Sequence, residues 1–359
     1  MSRRDLLSPK NDQVSATMCG TDDTSGKGNG LVRAAVTLGC LALAAVMVSG
    51  SFAPAHAQPR PDPTVTVTVT ATPNPQRSAS PDPSPSRSGL TNIPPGVVVR
   101  TVRYGRHVRQ RMDVWYREDG VARPAVFIIH GGWWNSGDKR SMASIVRGYV
   151  EQGYTVFNLN YRLSQDAPWP AQRVDTLTAI QTARRYAKRF GFDRDRYAIV
   201  GFSAGGHLAA AAGTYGAGRP GLKAVVGVSP VISPMTAFVD GDEGATPAQQ
   251  RLRRAAVALA GNCLPTRLRC EKVWRSMEVP WHAGPGDAPM LTLHSQDEFV
   301  PPYHSRLLKE QLNKAGVPMT IRVLPGNAHS TALYRQPGVA EGVHSWLAAR
   351  LGPLPGEDG

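Results

Sequence analysis

Six short apolar runs punctuate the chain after Gly96: "AVFIIH" from Ala125, "YTVFNLNY" from Tyr154, "YAIVGF" from Tyr197, "AVVGVS" from Ala224, "MLTLHS" from Met290 and "TIRVLP" from Thr320. Their side chains are mostly apolar without alternation, which predicts strands buried on both faces of a sheet. Ahead of them, "VVVRTVRYG" and "VRQRMDVWY" predict an antiparallel pair at the sheet edge. Between the runs the period changes. Leu177, Ile180, Ala183, Ala187 and Phe190 recur every three or four positions, the pattern of a helix with one face laid on a sheet. The closing "GVAEGVHSWLAARL" repeats it with Val343, Trp346, Leu347 and Leu351. Strands alternating with helices in this way predict one α/β domain over residues 96–359, with a mostly parallel central sheet flanked by helices. Residues 231–284 carry little strand pattern and read as a small cap-like insert.

The first quarter of the chain has a different texture. Ala34 to Ala53 is uncharged, follows Lys27 and Arg33, and leads into Ala55-His56-Ala57, an A-x-A cleavage pattern. Residues 1–57 therefore read as a secretory signal peptide. The rival is an uncleaved membrane anchor, since about twenty uncharged residues can span a bilayer. Cleavage is preferred because Gly39, Gly50 and Ser51 dilute the apolarity. Ten of the thirty prolines fall within residues 58–95, a Pro/Thr/Ser-rich segment too poor in apolar side chains to offset the entropy of ordering. It reads as a disordered tether, and the protein as secreted or held at the cell envelope. With the signal removed, Cys263 and Cys270 remain, and in an oxidising compartment two such neighbours are expected to pair.

The formal charge is +14, but the 41 lysines and arginines are scattered in ones and twos. Nucleic-acid binding needs a concentrated basic footprint, and the scatter argues against it.

The candidate chemistry begins at Gly201-Phe202-Ser203-Ala204-Gly205, a G-x-S-x-G pattern between a predicted strand and a predicted helix. A strand that turns at once into a helix strains the corner residue and lifts Ser203 clear of the sheet, with the positive end of the helix dipole behind it. A serine hydroxyl needs a base to take its proton and an acid to hold that base in the right tautomer. His329, in "LPGNAHS", follows a predicted strand on a glycine-bearing loop and is the chosen base, ahead of His304 and His344. Asp297, in "MLTLHSQDEFVPP", is the preferred acid, with the adjacent Glu298 as the alternative. Upstream, "IIHGGWWNSGDKR" places paired glycines after a buried strand, where the backbone can approach a developing oxyanion. The N–H groups of Gly132 and Trp133, with that of Ala204, are the expected oxyanion hole, and His130 is expected to brace the loop. His207 reads as a packed, hydrogen-bonded histidine. No H-x-E or C-x-x-C pattern suggests a metal.

With these residues in view the domain resembles the α/β-hydrolase superfamily of the esterase/lipase type, close to the feruloyl-esterase-like carbohydrate esterases. "HGGWWNSGDKR", "LNYRLS", "WPAQRVDTLTAIQTAR", "FGFDRDRYAIVGFSAGGHLAA" and the Asp-x-x-Val-Pro of "DEFVP" carry the resemblance, which covers nearly everything after Gly96. It departs at Trp133, where many relatives have glycine, and the interval from His294 to Asp297 is one residue short of the usual one. The resemblance implies a serine hydrolase that cleaves carboxylic esters through an acyl-enzyme without cofactor. It also implies that Asp175 is structural. A short-acyl or aromatic-acyl ester, on a small molecule or a polysaccharide, is the expected substrate. The competing readings are an arylformamidase-type amide hydrolase, since "HGGWW" satisfies H-G-G-x-W, and a catalytically silent binding module tethered to the envelope.

Overall fold

The computed structural model describes residues 93–216 and 218–355. The expected signal peptide and all but the last three residues of the expected tether lie outside them. The described chain forms β1 (Val97–Arg103), β2 (Arg111–Arg117), β3 (Arg123–Ile129), β4 (Thr155–Leu159), β5 (Phe192–Phe202), β6 (Leu222–Val228), β7 (Met290–Ser295) and β8 (Met319–Leu324). The helices are α1 (Ala143–Glu151), α2 (Ala171–Arg185), α3 (Ala204–Thr214), α4 (Pro234–Asp240), α5 (Pro247–Leu259), α6 (Glu271–Met277), α7 (Tyr303–Lys314), α8 (Thr331–Tyr334) and α9 (Val339–Leu351).

The strands make one eight-stranded sheet in the order β1-β2-β4-β3-β5-β6-β7-β8. β1 pairs antiparallel with β2, β2 antiparallel with β4, and all later pairings are parallel. The inner parallel strands, β3 to β7, are apolar on both sides over most of their length because each side meets a different helix layer. β8, expected to be buried on both faces, is instead the sheet edge and leaves Thr320, Arg322 and Val323 exposed. Phe127, Phe157, Ile199 and Val225 point to a core shared with α2, α3, α5 and α7. Val126, Val156, Val200 and Val226 point to a second core closed by α1 and α9. Successive strand residues alternate faces, so both layers are fed from one run of five or six residues.

Two details refine the sequence pattern. The apolar stripe beginning at Leu177 outlasts its helix: α2 ends at Arg185, and a 3₁₀ turn over Ala187–Phe190 keeps Ala187 and Phe190 buried. Gly191, at φ 52°, then reverses the chain into β5. The insert is helical, with α4 capped by the Ser233 side chain on Thr236 N–H, and α5 started by a reciprocal capping box between Thr246 and Gln249. A disulfide joins Cys263 to Cys270 in the link between α5 and α6, with Cα atoms 5.6 Å apart. The insert is no detached lid: Leu252, Ala256, Leu259, Trp274, Met277 and Val279 belong to the same core as α2 and α3.

Candidate active site

β5 runs directly into α3, and the one residue between them is Ser203, at φ 51° and ψ −116°. This left-handed backbone is costly for a residue with a Cβ, and the surroundings impose it. A Cβ on Gly201 would stand 2.1 Å from the Gly205 carbonyl oxygen, and one on Gly205 2.3 Å from the Ile129 oxygen. Only glycine at both positions lets the strand, the turn and the end of β3 close on one another. The turn presents Ser203 with 8% of its surface exposed. Ser203 Oγ–H donates to His329 Nε2 at 2.9 Å, and His329 Nδ1–H donates to Glu298 Oε2 at 2.5 Å.

The acid beside the histidine is therefore Glu298 and not Asp297. β7 ends at Ser295 and the chain turns outward, leaving Gln296 and Asp297 exposed, with Asp297 N–H bonded to the Gly326 carbonyl. Glu298 falls on the inner side of that turn, buried, and its extra methylene gives it the reach to His329. Its other oxygen accepts from Ser295 N–H at 2.9 Å and lies 3.3 Å from His294 Nδ1. Burial acts to raise the Glu298 carboxyl pKa, but hydrogen bonds from His294 and His329 outweigh it and leave the pKa below the ordinary value. A signal for Glu298 exists in the sequence: counted from His294, the interval that falls one residue short at Asp297 is complete at Glu298.

Serines at the ends of two strands position the His329 loop, and the sequence reading singled out neither. Ser295 Oγ–H donates to the Ala328 carbonyl at 2.5 Å, and Ser229 Oγ accepts from Ser330 N–H at 2.8 Å. The residues on either side of the base are thus fixed from β6 and β7. His294 is held by Val300 and Ser305: Nδ1–H donates to the Val300 carbonyl at 3.1 Å, and Nε2 accepts from Ser305 Oγ–H at 2.7 Å.

The loop after β3 lies against the same turn. Gly132 has φ 115°, and Trp133 and Trp134 both have φ 57°, a conformation that bulky residues seldom adopt. Among the described residues, no protein acceptor meets the N–H of Gly132 or of Trp133. The Ala204 N–H, at the first position of α3, belongs to the set that helix geometry leaves without an intrahelical acceptor. His130 donates from Nδ1 to the Gly131 carbonyl at 2.7 Å and stacks on Tyr161 at 4.5 Å, and burial lowers its pKa to about 4. Deeper, Trp134 Nε1–H donates to His207 Nδ1 at 3.2 Å, and His207 Nε2–H donates to the Met277 carbonyl at 2.8 Å. Burial holds the His207 pKa down to about 4, so the imidazole is neutral and its tautomer is set by these two partners. It ties the loop after β3, the helix behind Ser203 and the insert together. Asp175 accepts from the Arg162 guanidinium, the Arg162 N–H and Gln110, a fully buried anchor distant from the chemistry in role.

One wall of the site is aromatic. Phe299 lies 4.2 Å from the His329 ring and stacks on Trp133 at 5.1 Å, ring centre to ring centre. Residue 299 follows the acid and residue 133 follows the paired glycines, so the two loops that build the polar site also supply its apolar side. Trp169 lies away from this wall in role: it is buried, with Nε1–H on Ser276 Oγ.

Comparison with known proteins identifies the family of the domain. Residues 112–312, more than half of the chain, match the BD-FAE family model. The chain is 38% identical over 117 residues to Esterase LipC of Mycobacterium tuberculosis, a match covering 32% of this chain and 29% of that protein. It is 26% identical over 227 residues to the versiconal hemiacetal acetate esterase of Dothistroma septosporum, covering 57% of this chain and 66% of the relative. The chain thus spans under a third of LipC's length. In three dimensions it is similar to Esterase B from Lactobacillus rhamnosis, with a TM-score of 0.61 at 22% identity over 73% of this chain and 88% of that one, a likeness of fold. The eight-stranded sheet, its turn at Ser203 and the family match lead to one conclusion: this chain belongs to the BD-FAE family of esterase/lipase-type α/β-hydrolases.

Proposed function

We propose that the protein is a serine esterase whose nucleophile, base and acid are Ser203, His329 and Glu298. The observation that carries this reading is the continuous pair of hydrogen bonds from Ser203 Oγ through His329 to a buried, ionised carboxylate. In the first step Ser203 Oγ attacks the ester carbonyl while His329 Nε2 takes its proton. Glu298 keeps the proton on Nδ1 and stabilises the imidazolium. The N–H groups of Gly132 and Trp133, with that of Ala204, are assigned to the oxyanion, where each donor of this kind is worth about 3 kcal/mol. His329 then passes its proton to the departing alcohol. Water, deprotonated by the same nitrogen, attacks the acyl-enzyme and releases the acid. The steps require no cofactor.

Short-acyl and aromatic-acyl esters, free or linked to a polysaccharide, are the proposed substrates, because the Trp133–Phe299 wall offers a flat apolar surface beside the histidine. The names of the relatives, an esterase and an acetate esterase, support ester cleavage. Export by the N-terminal segment belongs to the same proposal. Hydrolysis of 4-nitrophenyl acetate by the wild type and its loss in Ser203→Ala, with the fold retained by circular dichroism, is the expected result. Equal rates in the two proteins would overturn the assignment. Faster turnover of N-formylkynurenine than of any nitrophenyl ester would favour the amidase reading.

A further inference from the structure

The aromatic wall ends in a charge. Arg251, the fifth residue of α5, places its guanidinium 4.8 Å from the centre of the Trp133 ring. Trp133 stacks on Phe299, and Phe299 lies against His329, so a line of contacts leads from the cation to the base. Arg251 is exposed and, among the described residues, makes neither an ion pair nor a hydrogen bond. Two other arginines near the insert are differently occupied. Arg253 lies over Phe238 at 3.7 Å, donates to the Phe238 carbonyl at 2.5 Å and pairs with Asp242 at 3.4 Å. Arg173 is buried over Trp169 and Tyr215.

We propose that Arg251 is a specificity-determining residue that selects esters bearing a carboxylate on the portion of the substrate lying along Trp133. The proposal deepens the esterase reading and rests on it. A cation resting on an aromatic face keeps its N–H groups free at the ring's edge, and the planar guanidinium matches a carboxylate in two parallel hydrogen bonds. A substrate with an apolar portion against Trp133 and Phe299, ending in a carboxylate, satisfies both the ring surface and the unpaired charge. A neutral substrate satisfies only the ring.

The test compares two pairs of esters: 4-nitrophenyl butyrate with 4-nitrophenyl hemisuccinate, and phenyl acetate with 4-acetoxybenzoate. The first pair places the carboxylate on the acyl side, the second on the alcohol side. Within each protein the ratio of kcat/KM, charged over neutral, is measured for wild type, Arg251→Gln, Arg251→Lys and the control Arg254→Gln. In at least one pair the wild-type ratio is expected to exceed that of Arg251→Gln by about tenfold, mainly through KM. Arg251→Lys is expected to fall between them, and Arg254→Gln to match the wild type. Added salt should shrink the wild-type ratio and leave that of Arg251→Gln flat. Ratios equal in wild type and Arg251→Gln for both pairs overturn the proposal. Failure to hydrolyse any of the four esters would sink the esterase reading instead. Binding of benzoate against benzamide to Ser203→Ala, followed by tryptophan fluorescence, then decides the role of Arg251: a preference for benzoate that vanishes with Arg251→Gln sustains it, and no preference refutes it.

Discussion

Replacing Glu298 with glutamine separates the two adjacent acids most sharply. The variant keeps the side-chain length, and its carbonyl oxygen can still accept from Ser295 N–H, the partner of Glu298 Oε1 at 2.9 Å. What changes is the group facing His329. An amide N–H there is a donor, so Nδ1 must become the acceptor and the ring proton moves to Nε2, the atom that has to receive the Ser203 proton. The carboxylate's attraction for the imidazolium is lost as well. With charge centres about 4 Å apart and an effective dielectric constant of about 20, that attraction is about 4 kcal/mol, roughly 10³-fold in rate. The tautomer change adds to it, and a fall in kcat of about 10³ to 10⁴ is expected. Asp297→Asn changes an exposed side chain whose backbone N–H is used elsewhere, and is expected to stay within about twofold of wild type. The measurement is steady-state hydrolysis of 4-nitrophenyl acetate, with melting curves to show that both variants fold. A large loss in Asp297→Asn together with near-normal turnover in Glu298→Gln would show that this geometry is not the working one.

Glu278 is buried with a carboxyl raised by that burial to about 7, and it accepts from Met235 N–H at 2.7 Å in the first turn of α4. Because the folded value lies above the unfolded 4.5, its contribution is full below about pH 4.5 and is lost as the pH rises toward 7, about 3 kcal/mol in all. Glu278→Gln should melt with the wild type at pH 4.5 and above it at pH 8, and identical pH–Tm profiles would contradict this. His207→Phe leaves the Trp134 indole N–H and the Met277 carbonyl unpartnered in the interior, a loss of about 2 to 6 kcal/mol readable by denaturant unfolding; a loss under 1 kcal/mol would refute the bridging role. The Cys263–Cys270 bond closes a short loop, so Cys270→Ser should cost about 2 to 3 kcal/mol, and native protein should titrate no free thiol at either position. Two accessible sulfhydryls from Cys263 and Cys270 would exclude the bond.

The polar constellation was legible to different depths for different residues. Ser203 stood out because a backbone turn of that tightness demands glycine on both sides, and glycines leave a mark in sequence. His329 stood out because a base must sit on a loop after a late strand, and few histidines do. The acid was misassigned by one residue, since Asp297 and Glu298 are chemically alike and differ only in which side of a turn they occupy. That side is set by where β7 stops and by the Gly326 carbonyl, from a distant loop, that captures the Asp297 N–H. The serines flanking the His329 loop, the Trp134–His207–Met277 bridge and the pairing of Arg251 with Trp133 left no local pattern at all.

By itself the sequence determined the strands, the main helices and their order, because burial on one or two faces dictates which positions along a segment must be apolar, and that periodicity is local. It also determined the turn at Ser203, because backbone strain restricts residue choice at its own position. Tertiary structure alone decided which carboxylate meets His329, how the insert joins the core, and which arginine lies over Trp133. Those outcomes depend on distances between segments far apart in the chain, where a difference of one residue reverses a side chain's direction and the sequence carries no record of the partner.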